Sequence, residues 1–160
     1  MAARTTDLSV NYRGVPLSVP VVVTSAETWF AGSLIYRLAA GNATKTWATT
    51  LPFLGISPFQ QVIPAGGQGI IYCGNIIAIF NEDTTGGVVL ADEGDGLYAE
   101  AAGDNYKDLV KRAPAAVVDG TSFVGTIFKV LLPEVWVALK PVGVSGLATV
   151  QAATVAAPRF

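Results

Sequence analysis

The chain has 160 residues, 51 % hydrophobic and only 14 % charged, where soluble domains carry about 25 % charge, so part of its surface is expected to be covered by other protein. It has no histidine and one cysteine, Cys73, which excludes a His-based catalytic triad, a Cys₂His₂ zinc site and an intrachain disulfide framework. A net charge of −2 argues against general nucleic-acid binding, which needs a basic face.

Residues 1–14 are polar, with Arg4, Asp7, Asn11 and Arg13 and neither helical nor strand periodicity. They read either as a frayed terminus or as a flexible N-terminal arm that orders on a partner. From Val15 the chain reads as short strands in one β domain over 15–141, with a small, mildly apolar C-terminal tail over 142–160. Val15–Thr24 is β-branched and carries Pro16 and Pro20, which suits an edge strand. Gly32–Leu38 alternates, with Leu34, Tyr36 and Leu38 on one face and Ser33, Ile35 and Arg37 on the other. A turn at 40–42 leads to a short strand expected at Trp47–Thr50, and Phe53–Ser57 follows as a compact apolar strand ending before Pro58. Pro64-Ala-Gly-Gly67 is a strong turn.

Gln68–Phe80 is the most convincing strand region, interrupted at Cys73-Gly74-Asn75 by a bend, bulge or tight hairpin. Turns at 85–87 and 94–96 bracket an extended run expected at Val88–Leu90, and Leu97-Tyr98 is extended again. Asn105–Ala113 has helical spacing in Tyr106, Leu109 and Val110, yet reads equally as a polar strand stopped by Pro114. Val117-Val118, Phe123–Val130 and Val135–Leu139 complete the strands. The predicted fold is all-β: a small β-barrel or β-tulip-like sandwich of about seven to ten short strands.

The longest apolar stretches fall short of the ~18–20 residues of a spanning helix, and the aromatics form no girdles of a membrane barrel, so no membrane is expected as a partner. Eight of the twelve acidic residues lie between Glu82 and Asp108, where Lys107 is the only base. They read as solvated turns, as an acidic patch for a basic partner, or as a weak calcium or magnesium site; Asp92–Gly96 lacks the ligand spacing of an EF-hand loop. No S-x-x-K occurs, Gly143-Val-Ser145-Gly146 departs from G-x-S-x-G, and no histidine can activate Cys73. No catalytic residue, cofactor or metal ligand is therefore assigned. Core packing is the first reading of the aromatics beside aliphatic neighbours, Trp29, Phe30 and Phe59 among them; Trp29, Phe30 and the Phe59–Val62 stretch also lie in turn-rich contexts and are candidates for an intersubunit contact. Residues 14–81 hold only Glu27, Arg37 and Lys45 as charges, so subunit contacts are expected in that half.

Two phrases recur. Gly32-Ser-Leu-Ile is similar to Gly87-Val-Val-Leu, and Phe53-Leu-Gly-Ile-Ser to Phe123-Val-Gly-Thr-Ile. The residues leave both chance similarity and a duplication open, and a duplication would imply two related half-barrels.

The run from Thr85 to Asn105, then Phe123-Val-Gly-Thr-Ile-Phe128, then Glu134-Val-Trp-Val-Ala-Leu-Lys140, resembles small head decoration (cement) proteins of tailed bacteriophages. The resemblance covers roughly residues 26–140, and Asn105–Gly120 is an insertion relative to its simplest form. It implies a trimeric β body on the outer surface of a capsid, with the major capsid protein as partner and no active site. Arg4, Arg13 and the polar residues between them are then the expected shell contacts, and Trp29, Phe30 and Phe59 the trimer or shell interface. The competing readings are another virion component, a carbohydrate-binding module using Trp29 with Trp136, and a small glycosidase or metal-dependent enzyme using two clustered carboxylates.

Overall fold

The computed structural model describes residues 11–38, 40–48, 51–74, 76–81, 89–99, 109–112 and 123–140. Among them run β1 (Asn11–Arg13), β2 (Leu17–Val22), β3 (Glu27–Trp29), β4 (Leu34–Arg37), β5 (Ala43–Thr44), β6 (Phe53–Ile56) and β7 (Gln61–Ile63). They are followed by β8 (Gln68–Cys73), β9 (Ile77–Asn81), β10 (Gly96–Ala99), β11 (Leu109–Arg112), β12 (Phe123–Leu131) and β13 (Glu134–Leu139). The fold is all-β, as the alternation and turn residues predict. Neither large sheet closes on itself among the described residues, so the sandwich form of the expectation holds and the barrel form does not.

Several local expectations change. The arm's last residues are not free: Asn11–Arg13 pairs antiparallel with β9. The run expected at Val88–Leu90 gives way to a 3-10 turn at Leu90–Asp92, where the Asp92 carboxylate accepts the Val89 N–H at 2.7 Å. Within Asn105–Ala113 the described part is strand β11, because β10 supplies it a ladder that two isolated helical turns could not match. Trp47 and Ala48 are outside any strand, and the pairing instead falls on Ala43–Thr44. Val117-Val118 lies outside the described residues.

Two sheets carry the architecture. One has the order β2-β8-β6-β4-β5, the other β1-β9-β13-β12-β10-β11. Without β1, the second repeats the first strand for strand in chain order. Register repeats as well. Ile35↔Gly55 and Tyr36↔Phe53 flank an irregularity in the β4–β6 ladder, and Leu97↔Gly125 and Tyr98↔Phe123 flank one in β10–β12. Gly32 and Gly94 both take positive φ, 84° and 94°, a region open to glycine, and both donate backbone bonds of 2.8 Å, to the Ser57 and Ile127 carbonyls. A Cβ on Gly55 would meet the Tyr72 carbonyl oxygen at 2.5 Å, and one on Gly125 would overlap the equivalent Ala138 oxygen. The recurrence of Phe53-Leu-Gly with Phe123-Val-Gly is thus a true structural repeat. Gly32-Ser-Leu-Ile-Tyr36, however, matches Gly94-Asp-Gly-Leu-Tyr98 and not the phrase at Gly87. We call β2, β4, β5, β6 and β8 the first unit and β9–β13 the second.

The units stack like plates, front to back. The first unit's back face, with Leu34, Tyr36, Phe53 and Ile56, packs on Ala78, Phe80, Leu97, Val137 and Leu139 of the second. In register those second-unit residues correspond to Val19, Val21, Ile35, Ile71 and Cys73, the first unit's front face. That front face forms a separate core with Trp29 and Ile63 of the β3–β7 ribbon. β4 is therefore apolar on both sides, Leu34 and Tyr36 facing one core and Ile35 the other. The bend at Gly74 (φ 57°) hands the chain from β8 in one sheet to β9 in the other rather than closing a hairpin.

Candidate functional site

No group of three or more His, Cys, Asp or Glu side chains able to hold a metal occurs among the described residues. Among them the Glu27, Asp92, Glu93 and Glu134 carboxylates accept hydrogen bonds within the body. Glu93 Oε1 accepts the Val130 N–H at 2.9 Å, and Glu27 accepts from Trp29 Nε1 (2.6 Å), Thr44 Oγ1 (2.6 Å) and the Lys45 N–H (3.0 Å). Cys73 is buried, its thiol pushed up by burial and partly opposed by the Lys140 ammonium. These arrangements hold strands in place. They bring no nucleophile to a base.

The candidate surface residues fall on opposite outer faces of the layered body. Trp29 is fully buried, 0 % exposed, so it has no surface to offer a partner; this corrects its expected interface role and removes the paired Trp29–Trp136 platform of a carbohydrate module. The ring lies over Gly69, where a Cβ would meet Trp29 Cη2 at 2.9 Å and Ile63 Cδ1 at 2.6 Å. The ring takes the core-packing alternative, seated on a glycine of a neighbouring strand. Phe30 and Phe59 lie at one end of the ribbon, next to the Trp29↔Gln61 pair. Phe30 is half-buried with Lys45 Nζ 5.9 Å from its ring, while Phe59 is 51 % exposed. Val62, 78 % exposed, extends that apolar edge, so the turn-rich Phe59–Val62 stretch does present apolar surface.

Arg13 lies on the far side, on the back of the second unit. Its guanidinium stands 5.3 Å from the centre of the half-buried Trp136 ring, whose Nε1 donates to Glu134 Oε2 at 3.0 Å. Register makes this contact. β1 and β13 flank β9, setting Arg13 opposite Ile77 and Trp136 opposite Ile79 on one face. Tyr12 points the other way, packing edge-on against Tyr72 at 5.5 Å with its hydroxyl pushed up to about 12 by burial. The result is an exposed cation seated on an indole beside a carboxylate, at the rim where the arm meets the body. Arg4 lies outside the described residues.

Two polar ties join the units. Trp47 Nε1 donates to the Ala99 carbonyl at 3.0 Å, and buried Lys140 donates to the Phe53 carbonyl at 2.5 Å. Burial, reinforced by Arg37, lowers the Lys140 ammonium to about 8. No helix among the described residues is long and apolar enough to cross a membrane. Comparison with protein families, curated proteins and solved structures finds nothing that matches this chain.

Proposed function

We propose that this protein is a structural component of a phage virion, a decoration protein that binds the exterior of an expanded capsid. There it ties neighbouring capsomers together against internal DNA pressure. It works as a homotrimer of about 50 kDa on the major capsid protein, without catalysis or cofactor. The observation that carries the reading is β1, where the arm is pinned as an edge strand by Tyr12 against the core side and Arg13 on Trp136. The described end of the arm is thus an edge strand of the six-stranded sheet. The resemblance of the Phe123–Phe128 and Glu134–Lys140 phrases supports it, both being paired strands of the second unit.

The physical role is linkage. A subunit that binds only the expanded shell stabilises that state in proportion to its occupancy, and many copies in register make modest contacts avid. Deleting residues 1–10, which leaves β1 intact, is expected to abolish co-sedimentation with expanded capsids while the thermal midpoint stays unchanged. Undiminished binding by that truncated protein would refute the arm's role. A protein that stays monomeric at high concentration and binds no capsid would refute the whole reading.

A further inference from the structure

The outer strand of the first unit, β2, is bare along its edge. Leu17, Ser18, Pro20 and Val22 are all exposed. Among the described residues, this side of the chain meets another strand only at the single bridge from Val23 to Ala43. β2 has six residues, more than β1, β5 or β11, the other strands at the edges of the two large sheets. It carries no charge and its ladder with β8 runs without a register shift. An apolar, uncharged and regular edge is a template for a further strand.

The repeat shows the same edge in use. Tyr72 and Ala138 hold equivalent places, each with its carbonyl against the glycine of the next strand. Tyr72 lies opposite Ser18 and Ala138 opposite Ile77, so two residues along each ladder Pro20 matches Ile79. On β9 that edge is taken, with Arg13 and Asn11 of β1 opposite Ile77 and Ile79. Backbone direction gives the reason for the difference. Val23 uses both its backbone groups on the β8 side, donating to the Gly67 carbonyl at 3.0 Å and accepting the Gly66 N–H at 2.8 Å. These groups alternate sides along a strand, so those of Ser18, Pro20 and Val22 point out from the sheet. Pro20 is the middle one of the three, and it has no N–H to give.

We propose that Pro20 keeps the β2 edge closed, and that the partner it excludes is the β2 strand of a second copy of this chain. Two such edges meeting antiparallel about a two-fold axis would set Pro20 opposite Pro20, between two pairs of Ser18 with Val22. The central pair would then lack both its hydrogen bonds. A slip of two residues either way still sets Pro20 against Ser18 or Val22. The proline costs its own sheet nothing, because the missing N–H lies on the side away from β8. The closure holds whether or not the chain binds a capsid.

The test compares the full-length protein with Pro20→Val and Pro20→Thr, which supply the N–H, and with Pro20→Lys. The lysine supplies it too, but sets like charges opposite each other across the two-fold axis. Sedimentation velocity over a wide concentration range reads the mass, circular dichroism the sheets, and hydrogen exchange the outward amides of Ser18 and Val22. Pro20→Val and Pro20→Thr are expected to keep strand signal and to approach twice the wild-type mass as concentration rises. Exchange at Ser18 and Val22 should slow in step with that association, and Pro20→Lys should keep wild-type mass. Folded valine and threonine variants that keep wild-type mass would overturn the closure. So would association that leaves those two amides unprotected, or that Pro20→Lys shows equally, since pairing would then not pass through position 20. Loss of strand signal in both Pro20→Val and Pro20→Thr would make the proline a requirement of the first unit's own folding, and the proposal would fall.

Discussion

The two units share strand order, register and glycine positions, yet they close their front faces by different means. In the second unit β12 continues as one strand to Leu131, passing an irregularity between Ile127 and Lys129 while staying paired with β13. At the same position the first unit has Ser57-Pro58, and β6 ends. Proline has no N–H to give a ladder, so the chain leaves the sheet and returns as β7 of the ribbon. The departure would strip Ile70 of its partner, whereas its counterpart Trp136 pairs with Lys129. Gln61 repairs the gap, its Nε2 donating to the Ile70 carbonyl at 2.8 Å and its Oε1 accepting the Ile70 N–H at 2.7 Å. A side-chain amide stands in for one residue of strand. The lesson is that a proline and a glutamine suffice to turn a sheet extension into a separate layer.

The largest expected effect separates the tryptophan of the ribbon from that of the second unit. Trp29→Ala, which empties a fully buried seat, should lower unfolding free energy by about 3–5 kcal/mol in urea titrations. Trp136→Ala removes a half-buried ring that stacks on an exposed arginine and should lower it by only about 1 kcal/mol. Equal losses would erase the distinction between a fully buried ring and a half-buried one.

Next come the matched glycines. Gly55→Ala and Gly125→Ala both drive a methyl against a carbonyl oxygen of the next strand, and each should destabilise by about 1–3 kcal/mol, with the two midpoints shifting alike. If one shifts and the other does not, the ladders differ more than their register shows. Gln61→Ala should have an effect similar to the glycine changes or smaller, about 1–3 kcal/mol, because both backbone groups of Ile70 lose their partner. Hydrogen exchange at the Ile70 amide should accelerate, while that at Trp136 should be unchanged.

The smallest effect is one of pH. The Lys140 ammonium falls from its ordinary 10.5 to about 8 on folding, so between those values the unfolded chain binds more protons and stability should rise with pH. The penalty of burying the charge is present below about 8 and relieved toward 10.5. Above about 10 the raised hydroxyls of Tyr12 and Tyr36 act oppositely, since the unfolded chain ionises first. Denaturant midpoints should therefore climb from pH 8 to 10 in wild type and stay flatter in Lys140→Met. Parallel curves would place the titration elsewhere.

Much of this fold was legible in the chain. Alternation in Gln68–Cys73 and Glu134–Leu139 marked strands because each has one side on a core. The strands that escaped notice, β1, β3, β5 and β7, have two or three residues each, too few to show a period. The repeat was half visible: Phe-x-Gly survives in both units because the glycine sits against a carbonyl oxygen, whereas most other matched positions keep only their apolar character. Of the candidate surface residues, Phe59 and Arg13 are exposed, while Trp29 is not. Sequence context near a turn carries no information about which loop is folded over a sheet.

By itself the sequence determined that this chain is all-β, poor in charge and without histidine chemistry, because composition and alternation act residue by residue. It also set where extended segments break, since glycine and proline act on their own backbone. Tertiary structure alone decided that the two units face the same way, that Trp29 belongs to a core and that Arg13 meets Trp136. Each of those depends on pairing partners far apart in the chain, and a strand's pattern says that one face is buried without saying against what.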